Sequence, residues 1–77
     1  MEKTDNFENI EISSEYIKLD ALLKFSALTG TGGEAKIVIA EGLVKVNGEV
    51  CYQRGRKLRN GDTVEFSGQM IKVCSAE

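Results

Sequence analysis

Four cations lie within six residues of one another, and no other stretch of the chain offers side chains with so clear a chemical use. Arg54, Arg56, Lys57 and Arg59 occur in the run RGRKLR. Like charges this close repel one another unless an anion lies among them, and the arginine fork binds phosphate through two hydrogen bonds. The alternative is a solvated loop that prevents pairing at a sheet edge. The cluster predicts phosphate binding.

Three further features could add to an anion site. Lys36 follows the start of a predicted helix, where the helix dipole disfavours a cation, so a nearby phosphate would explain its placement. The amides of Gly32 and Gly33 at the same helix start could hold a phosphate, or these glycines could simply permit a tight corner. Lys24 has an alternative use in an i,i+4 pair with Asp20. The two glycines and Lys24 therefore each have a structural alternative to anion binding.

The composition argues against catalytic and metal sites. The chain has no histidine and only two cysteines, Cys51 and Cys74. The commonest general base is therefore missing, and two cysteines cannot complete a four-ligand zinc site. No pair of side chains suggests a nucleophile with its base. We expect no enzyme, no metal and no cofactor, and we expect reduced thiols, with a Cys51–Cys74 disulfide as the alternative.

The charge is distributed unevenly along the chain, although the formal net charge is only −2 at pH 7. Residues 1–17 hold one lysine against five acids, residues 18–61 hold eight Lys and Arg against four acids, and residues 62–77 hold one lysine against three acids. Local charge decides whether a phosphate chain is held, so the basic middle segment is compatible with a polyanionic ligand.

The length of 77 residues predicts a single domain, 1–77, with a thin core and no deep cleft. The ligand is then expected on the surface and should be larger than a metabolite. The acidic N-terminus lacks the apolar run of a signal peptide, and no stretch approaches the length of a membrane span. We predict a cytoplasmic protein without membrane contact, with a frayed end at residues 1–6.

Two helices are predicted in the first half of the chain. Apolar residues at helical spacing indicate one helix over residues 19–28, with Gly30 as its left-handed cap. Thr31 would cap the second helix, and the Glu34 side chain would bond back to Thr31. Gly42 ends this second helix. Because few residues join the two helices, they should form a tight corner.

The remaining apolar residues alternate with a period of two, which indicates strands. A weak strand is predicted at residues 7–12, and further strands at 44–46, 50–52, 64–66 and 71–73. Asn47-Gly48 predicts a two-residue hairpin turn, because both positions accept a positive φ. The basic residues 54–59 are predicted to form a loop. The chain should therefore adopt an α+β fold, with two helices on a small, mostly antiparallel sheet of short strands.

These motifs, in this order, resemble the S4-type RNA-binding domain, also called the αL motif. The resemblance covers about residues 16–66 and is carried by Lys18-Leu19-Asp20, Thr31, Ala35, Val38-Ile39, Gly42, Val44, Val46-Asn47-Gly48 and Gly61-Asp62. The runs GGEAK (32–36) and RGRKL (54–58) are similar to the small stand-alone YaaA/YbcJ-like bacterial members. The resemblance implies RNA binding, with ribosomal RNA or ribosome assembly as the context.

The charge pattern and the resemblance together give the candidate RNA contacts. Gly32 and Lys18 stand where the family often has arginine, which shifts the expected contacts towards Lys36 and the 54–59 cluster. The helix corner and the 54–59 loop are expected to form one basic surface. The predicted RNA-binding residues are Lys18, Lys24, Gly32, Gly33, Lys36, Lys45, Asn47, Arg54, Arg56, Lys57 and Arg59.

Two alternatives remain open from the sequence. Tyr16, Tyr52 and Phe25 could stack on unpaired bases, or they could serve only as packing. The acidic segment 2–15 could bind a basic partner, which would make the protein an interaction adaptor for ribosomal proteins or an assembly factor.

Overall fold

The computed structural model describes residues 7–75, and the predicted frayed end at residues 1–6 lies outside this range. The elements are β1 (Phe7–Ile12), β2 (Ile17–Lys18), α1 (Leu19–Phe25), α2 (Gly32–Ala40), β3 (Lys45–Val46), β4 (Glu49–Val50), β5 (Lys57–Leu58), β6 (Thr63–Phe66) and β7 (Gln69–Ser75).

The strands form two sheets. Five strands lie in the order β1-β7-β6-β3-β4, and β2 pairs with β5 in a separate two-stranded sheet. β1 runs parallel to β7, whereas the other pairs are antiparallel. The predicted α+β fold with a mostly antiparallel sheet is therefore confirmed. The weak strand at 7–12 is also confirmed, because β7 supplies its partner, with Ile10 opposite Val73.

One apolar cluster joins the two helices and both sheets. Its fully buried side chains include Leu19, Leu22 and Leu23 from α1, Ile39 from α2, Leu58 from β5, and Val64, Ile71 and Val73 from the large sheet. Burial of each Leu, Ile or Val side chain contributes about 1.5–3 kcal/mol. In a domain this small the cluster fixes how the helices lie on the sheets.

Helix α1 ends earlier than its sequence predicts. The prediction of a helix to residue 28 was wrong, because α1 stops at Phe25 and Ala27 takes the left-handed conformation, with φ of 65°. The amides of Leu28 and Thr29 then both donate to the Leu23 carbonyl, at 3.0 and 3.2 Å. Leu28 packs against the core and Thr29 is buried, so tertiary packing imposes the early turn. The predicted left-handed cap at Gly30 was wrong for the same reason.

The caps of α2 largely follow the prediction. The Thr31 hydroxyl accepts the Glu34 amide at 3.1 Å, as expected for the N-cap. The Glu34 carboxylate accepts the Gly30 amide at 2.7 Å, so the predicted return bond to Thr31 was wrong by one residue. Gly42 follows the helix with φ of +75°, which confirms the predicted stop.

The hairpin turn at residues 47–48 is confirmed. Asn47 and Gly48 both have positive φ, 53° and 89°, as a type I′ turn requires. The return strand β4 ends at Val50, however, so Tyr52 lies beyond the strand in which it was predicted.

The 54–59 segment is not a loop throughout, which corrects the prediction. Lys57 and Leu58 form β5 and pair with β2, and Leu58 is fully buried. Local periodicity gave no sign of this strand, because it is two residues long and its partner lies about forty residues earlier in the chain.

Two findings concern membrane spanning and the thiols. No helix within residues 7–75 has the length and apolar character needed to cross a bilayer. Cys51 is buried and Cys74 is half-buried, and both are free thiols, so the alternative of a disulfide between them was wrong.

Candidate nucleic-acid interface

The two-stranded sheet brings Lys18 to the basic cluster. In the β2–β5 pair, Lys18 lies directly opposite Lys57. Two backbone hydrogen bonds continue this contact into α1, because the Leu19 amide donates to the Arg56 carbonyl at 2.9 Å and the Asp20 amide to the Arg54 carbonyl at 3.1 Å. Lys18 therefore lies beside Lys57, and the backbone of Arg54 and Arg56 runs along the start of α1.

We call this group the basic surface and define it by five exposed side chains: Lys18, Arg54, Arg56, Lys57 and Arg59. Within residues 7–75, no carboxylate lies within 4.0 Å of any of these cationic groups. Like charges directly opposite each other in a sheet destabilise it. An anion bound between them would remove this repulsion, so the surface is suited to phosphate.

Tyr16 supports two of the cations. The Lys57 ammonium lies 4.9 Å from the centroid of the Tyr16 ring, and the Arg59 guanidinium lies 5.9 Å from it. Both distances are within the range of a cation–π contact. Tyr16 thus holds two long side chains near one position. This reduces the side-chain conformational entropy that would be lost when a ligand binds. The sequence suggested stacking for Tyr16 but gave no signal for this contact.

Asp62 lies near Arg59 in the chain but does not neutralise its guanidinium. One carboxylate oxygen of Asp62 accepts the Arg59 backbone amide at 2.8 Å, and the other accepts the Asn47 side-chain amide at 3.2 Å. The carboxylate is therefore used to close the turn before β6, and the Arg59 side chain stays available to a ligand.

Asn47 was predicted to contact RNA, and its exposed side chain already makes hydrogen bonds within the protein. Besides its bond to Asp62, its carbonyl oxygen accepts the Thr63 amide at 3.0 Å and the Thr63 hydroxyl at 3.3 Å. These bonds link the hairpin turn to the start of β6. An RNA contact by Asn47 remains a prediction, but its structural role is clear.

The other predicted contacts lie on other elements. Lys24 is on α1, Lys36 and Gly33 are on α2 and Lys45 is on β3, all exposed, and Gly32 is the first residue of α2. Their contact with RNA remains a prediction. The alternative use of Lys24, an ion pair with Asp20, is not formed among residues 7–75.

The acidic residues do not form a metal site in the described range. Residues 7–75 contain no group of three or more Asp, Glu or Cys side chains arranged to hold an ion.

Comparisons with known proteins show which family the chain belongs to. The S4 domain family profile matches residues 10–74. The chain is 41% identical over 60 residues to the YbcJ protein of Escherichia coli (strain K12), a match that spans 78% of this chain and 86% of YbcJ. It is 44% identical over 59 residues to the "Probable ribosome maturation protein RlbA" of Bacillus subtilis (strain 168), across 77% of this chain and 83% of that protein.

A solved structure agrees in fold. The solution structure of YbcJ from E. coli, described as revealing an αL motif involved in RNA-binding, superposes with a TM-score of 0.65 and 33% identity. The superposition covers 94% of this chain and 90% of YbcJ. The resemblance predicted from the motifs is therefore confirmed, and this chain belongs to the S4 domain family.

Proposed function

We propose that this protein binds RNA through the basic surface. The observation that carries the proposal is the placement of Lys18 opposite Lys57, together with three nearby arginines, without a carboxylate of residues 7–75 to neutralise them. An arrangement that costs stability in the free protein is explained if the ligand is a polyanion. The reported role of the αL motif of YbcJ in RNA binding supports the same function.

The contacts would be made mainly to the phosphate backbone. Lysine ammonium groups act as point charges, and the guanidinium forks of Arg54, Arg56 and Arg59 match phosphate oxygens in pairs. Such contacts recognise the shape of an RNA more than its base sequence. The proposal assigns the chain a binding role, with no chemical step and no cofactor.

Structured ribosomal RNA is the ligand we favour, in the context of ribosome assembly in the bacterial cytoplasm. The name of RlbA describes a ribosome maturation protein, and that protein matches most of this chain. A small domain with one basic surface is suited to docking on a folded RNA whose phosphates converge.

Filter binding to ribosomal RNA fragments across a salt series tests the proposal. About four to six phosphate contacts predict a slope of log affinity against log salt of about −3 to −5. Charge reversal at Arg54, Arg56 and Lys57 together should abolish binding. Affinity that does not change with salt would contradict the proposal.

A matched pair of single substitutions sharpens this test. Lys57→Gln should reduce the salt slope by about 1, because one phosphate contact is lost. Lys72→Gln removes the same charge from an exposed position on β7, in the other sheet, and should leave the slope unchanged. Equal effects of the two substitutions would indicate a general charge effect rather than a binding surface.

A second candidate function is an adaptor that binds a basic protein, such as a ribosomal protein or an assembly factor. Glu8, Glu11 and Glu15 are all exposed, and no cation of residues 7–75 pairs with them. Truncation cannot test this function, because residues 7–12 form β1 and pair with β7. Changing the three glutamates to glutamine should abolish capture of a basic partner while RNA affinity is kept.

A further inference from the structure

A groove borders the basic surface and has its own chemistry. It has a volume of about 360 Å³ and is formed by β4 and the segment that follows it, with Glu49, Val50, Tyr52, Gln53 and Arg56 among its lining residues. This volume is at the lower end of the range of small-molecule sites, about 300–1,000 Å³. The groove is therefore large enough for one small group such as a nucleobase.

Tyr52 gives the groove an aromatic face. Tyr52 is 67% exposed, and one side of its ring contacts Gly42 at the end of α2. A Cβ added at Gly42 would lie 3.0 Å from the Tyr52 hydroxyl oxygen and 3.2 Å from its Cε1 atom, so the ring packs closely on this glycine. Tyr52 is thus an aromatic side chain that contacts the end of α2 on one side and is open to a ligand on the other.

The two tyrosines consequently have different roles. Tyr16 is half-buried and its ring is in contact with Lys57 and Arg59. Tyr52 has no cation or second ring against it within residues 7–75. A base could therefore stack on Tyr52 without displacing a side chain, whereas Tyr16 is already used to position cations.

Polar groups stand beside this aromatic face. The Gln53 side chain has no hydrogen-bond partner within residues 7–75, and its amide offers both a donor and an acceptor, as the edges of nucleobases do. The Gln53 carbonyl is fixed by the Arg56 amide at 3.1 Å and the Cys51 thiol at 3.7 Å. The backbone that presents the Gln53 amide is therefore held in a defined turn.

Arg56 connects the groove to the basic surface. It is one of the residues that line the groove, and its carbonyl accepts the Leu19 amide beside Lys18. Because Tyr52 and Arg56 line the same groove, a nucleotide with its phosphate at Arg56 could place its base on Tyr52. Glu49 disfavours a phosphate inside the groove itself but could accept a hydrogen bond from a base amino group.

We propose that the groove binds one unpaired base of the RNA, stacked on Tyr52 and hydrogen-bonded by Gln53, with its phosphate at Arg56. This inference rests on the proposed RNA binding and adds a preference to it. RNA with an unpaired nucleotide next to a helix should bind more tightly than the same RNA when fully paired.

Two RNA hairpins test the preference, one with a fully paired stem and one with a single unpaired adenosine in the stem. At low salt, phosphate contacts alone should give measurable binding to both. The protein should bind the second hairpin about 5- to 150-fold more tightly, the range that one base–aromatic stack supplies. Equal affinity for both hairpins would overturn the inference and leave the proposed function intact, whereas no salt-dependent binding of either would contradict the proposed function.

Substitutions at Tyr52 test whether the groove causes the preference for the unpaired adenosine. Tyr52→Leu should remove the preference for the unpaired adenosine without changing affinity for the paired hairpin, and Tyr52→Phe should retain it. Tyr16→Leu is the matched control, because loss of support for Lys57 and Arg59 should weaken both hairpins by a similar factor. Loss of the preference in Tyr52→Phe, or its survival in Tyr52→Leu, would show that stacking on Tyr52 does not cause it.

A spectroscopic measurement checks the stack directly. With 2-aminopurine at the unpaired position, binding of the wild-type protein should change the fluorescence of this base, and binding of Tyr52→Leu should not. The far-ultraviolet circular dichroism of each variant should match the wild type, which shows that the fold is kept. An equal fluorescence change with both proteins would place the base elsewhere.

Discussion

Lys18 and Lys57 lie directly opposite each other across the two-stranded pair of β2 and β5, and no carboxylate of residues 7–75 lies within 4.0 Å of either ammonium group. Two like charges in this position raise the free energy of the folded state. The repulsion is electrostatic and exposed to solvent, so salt should screen it. This relationship connects the stability of the free protein to its ability to hold an anion.

Lys18→Gln should stabilise the free protein at low salt. Removal of one of two opposed charges should raise the free energy of unfolding by about 0.2–0.5 kcal/mol, and the gain should disappear in concentrated salt. Urea unfolding at two salt concentrations measures this. Lys72→Gln, on the other sheet, should show no such gain. Lys18→Gln should also weaken RNA binding, because it removes one cation of the basic surface.

Asn47 should matter chiefly for stability. Asn47→Gly keeps the positive φ of the turn but loses the bonds to Asp62 and Thr63, which should lower the free energy of unfolding by about 1–2 kcal/mol. Asn47→Ala should lose about 1 kcal/mol more, because alanine is strained at φ of 53°. Urea unfolding of the two variants separates the loss of the hydrogen bonds from the strain of the turn. A stability unchanged in Asn47→Gly would show that these bonds contribute little.

Features set by neighbouring residues could be predicted from the sequence. The Thr31 cap and the hairpin at Asn47-Gly48 each depend on a few adjacent residues, whose conformational preferences are strong. The strand at 7–12 gave only a weak signal, because it lies at an edge of the large sheet and pairs with a strand from the other end of the chain. The positions of the longer elements could therefore be predicted more readily than their partners.

Features that depend on distant pairing could not be predicted in the same way. The cations at 54–59 were identified from their spacing, but nothing local placed Lys57 opposite Lys18 or Tyr16 beneath Lys57. The role of Tyr52 also depends on a contact with Gly42 across the fold. A sequence pattern can thus list candidate ligands for an anion, whereas their convergence is decided by tertiary packing.

The end of α1 offers a test of conformational strain. Ala27→Gly should raise the free energy of unfolding by about 0.5–1 kcal/mol, because the strain of alanine at φ of 65° exceeds the added chain entropy of glycine. Ala21→Gly, at an exposed position within the same helix, should lower it by about 1 kcal/mol. Thermal unfolding of both variants measures the contrast. Equal destabilisation would mean that Ala27 is not strained.

Gly42 connects the fold to the groove beside the basic surface, and comparison with Gly48 isolates this connection. Both glycines have positive φ, so Gly42→Ala and Gly48→Ala should each cost about 1–2 kcal/mol in the free energy of unfolding. A Cβ at residue 48 meets nothing within 4 Å, whereas at residue 42 it presses on the exposed Tyr52 ring, which has room to shift.

The two variants should therefore match in urea unfolding and differ in RNA binding. Gly42→Ala should reduce the preference for a hairpin with an unpaired adenosine, because the ring on which the base stacks is displaced. Gly48→Ala should retain the preference, and both variants should bind the paired hairpin with the same salt slope. If Gly42→Ala kept the full preference, the end of α2 would not position Tyr52 for stacking, and the aromatic face would have to be set by the segment after β4 alone.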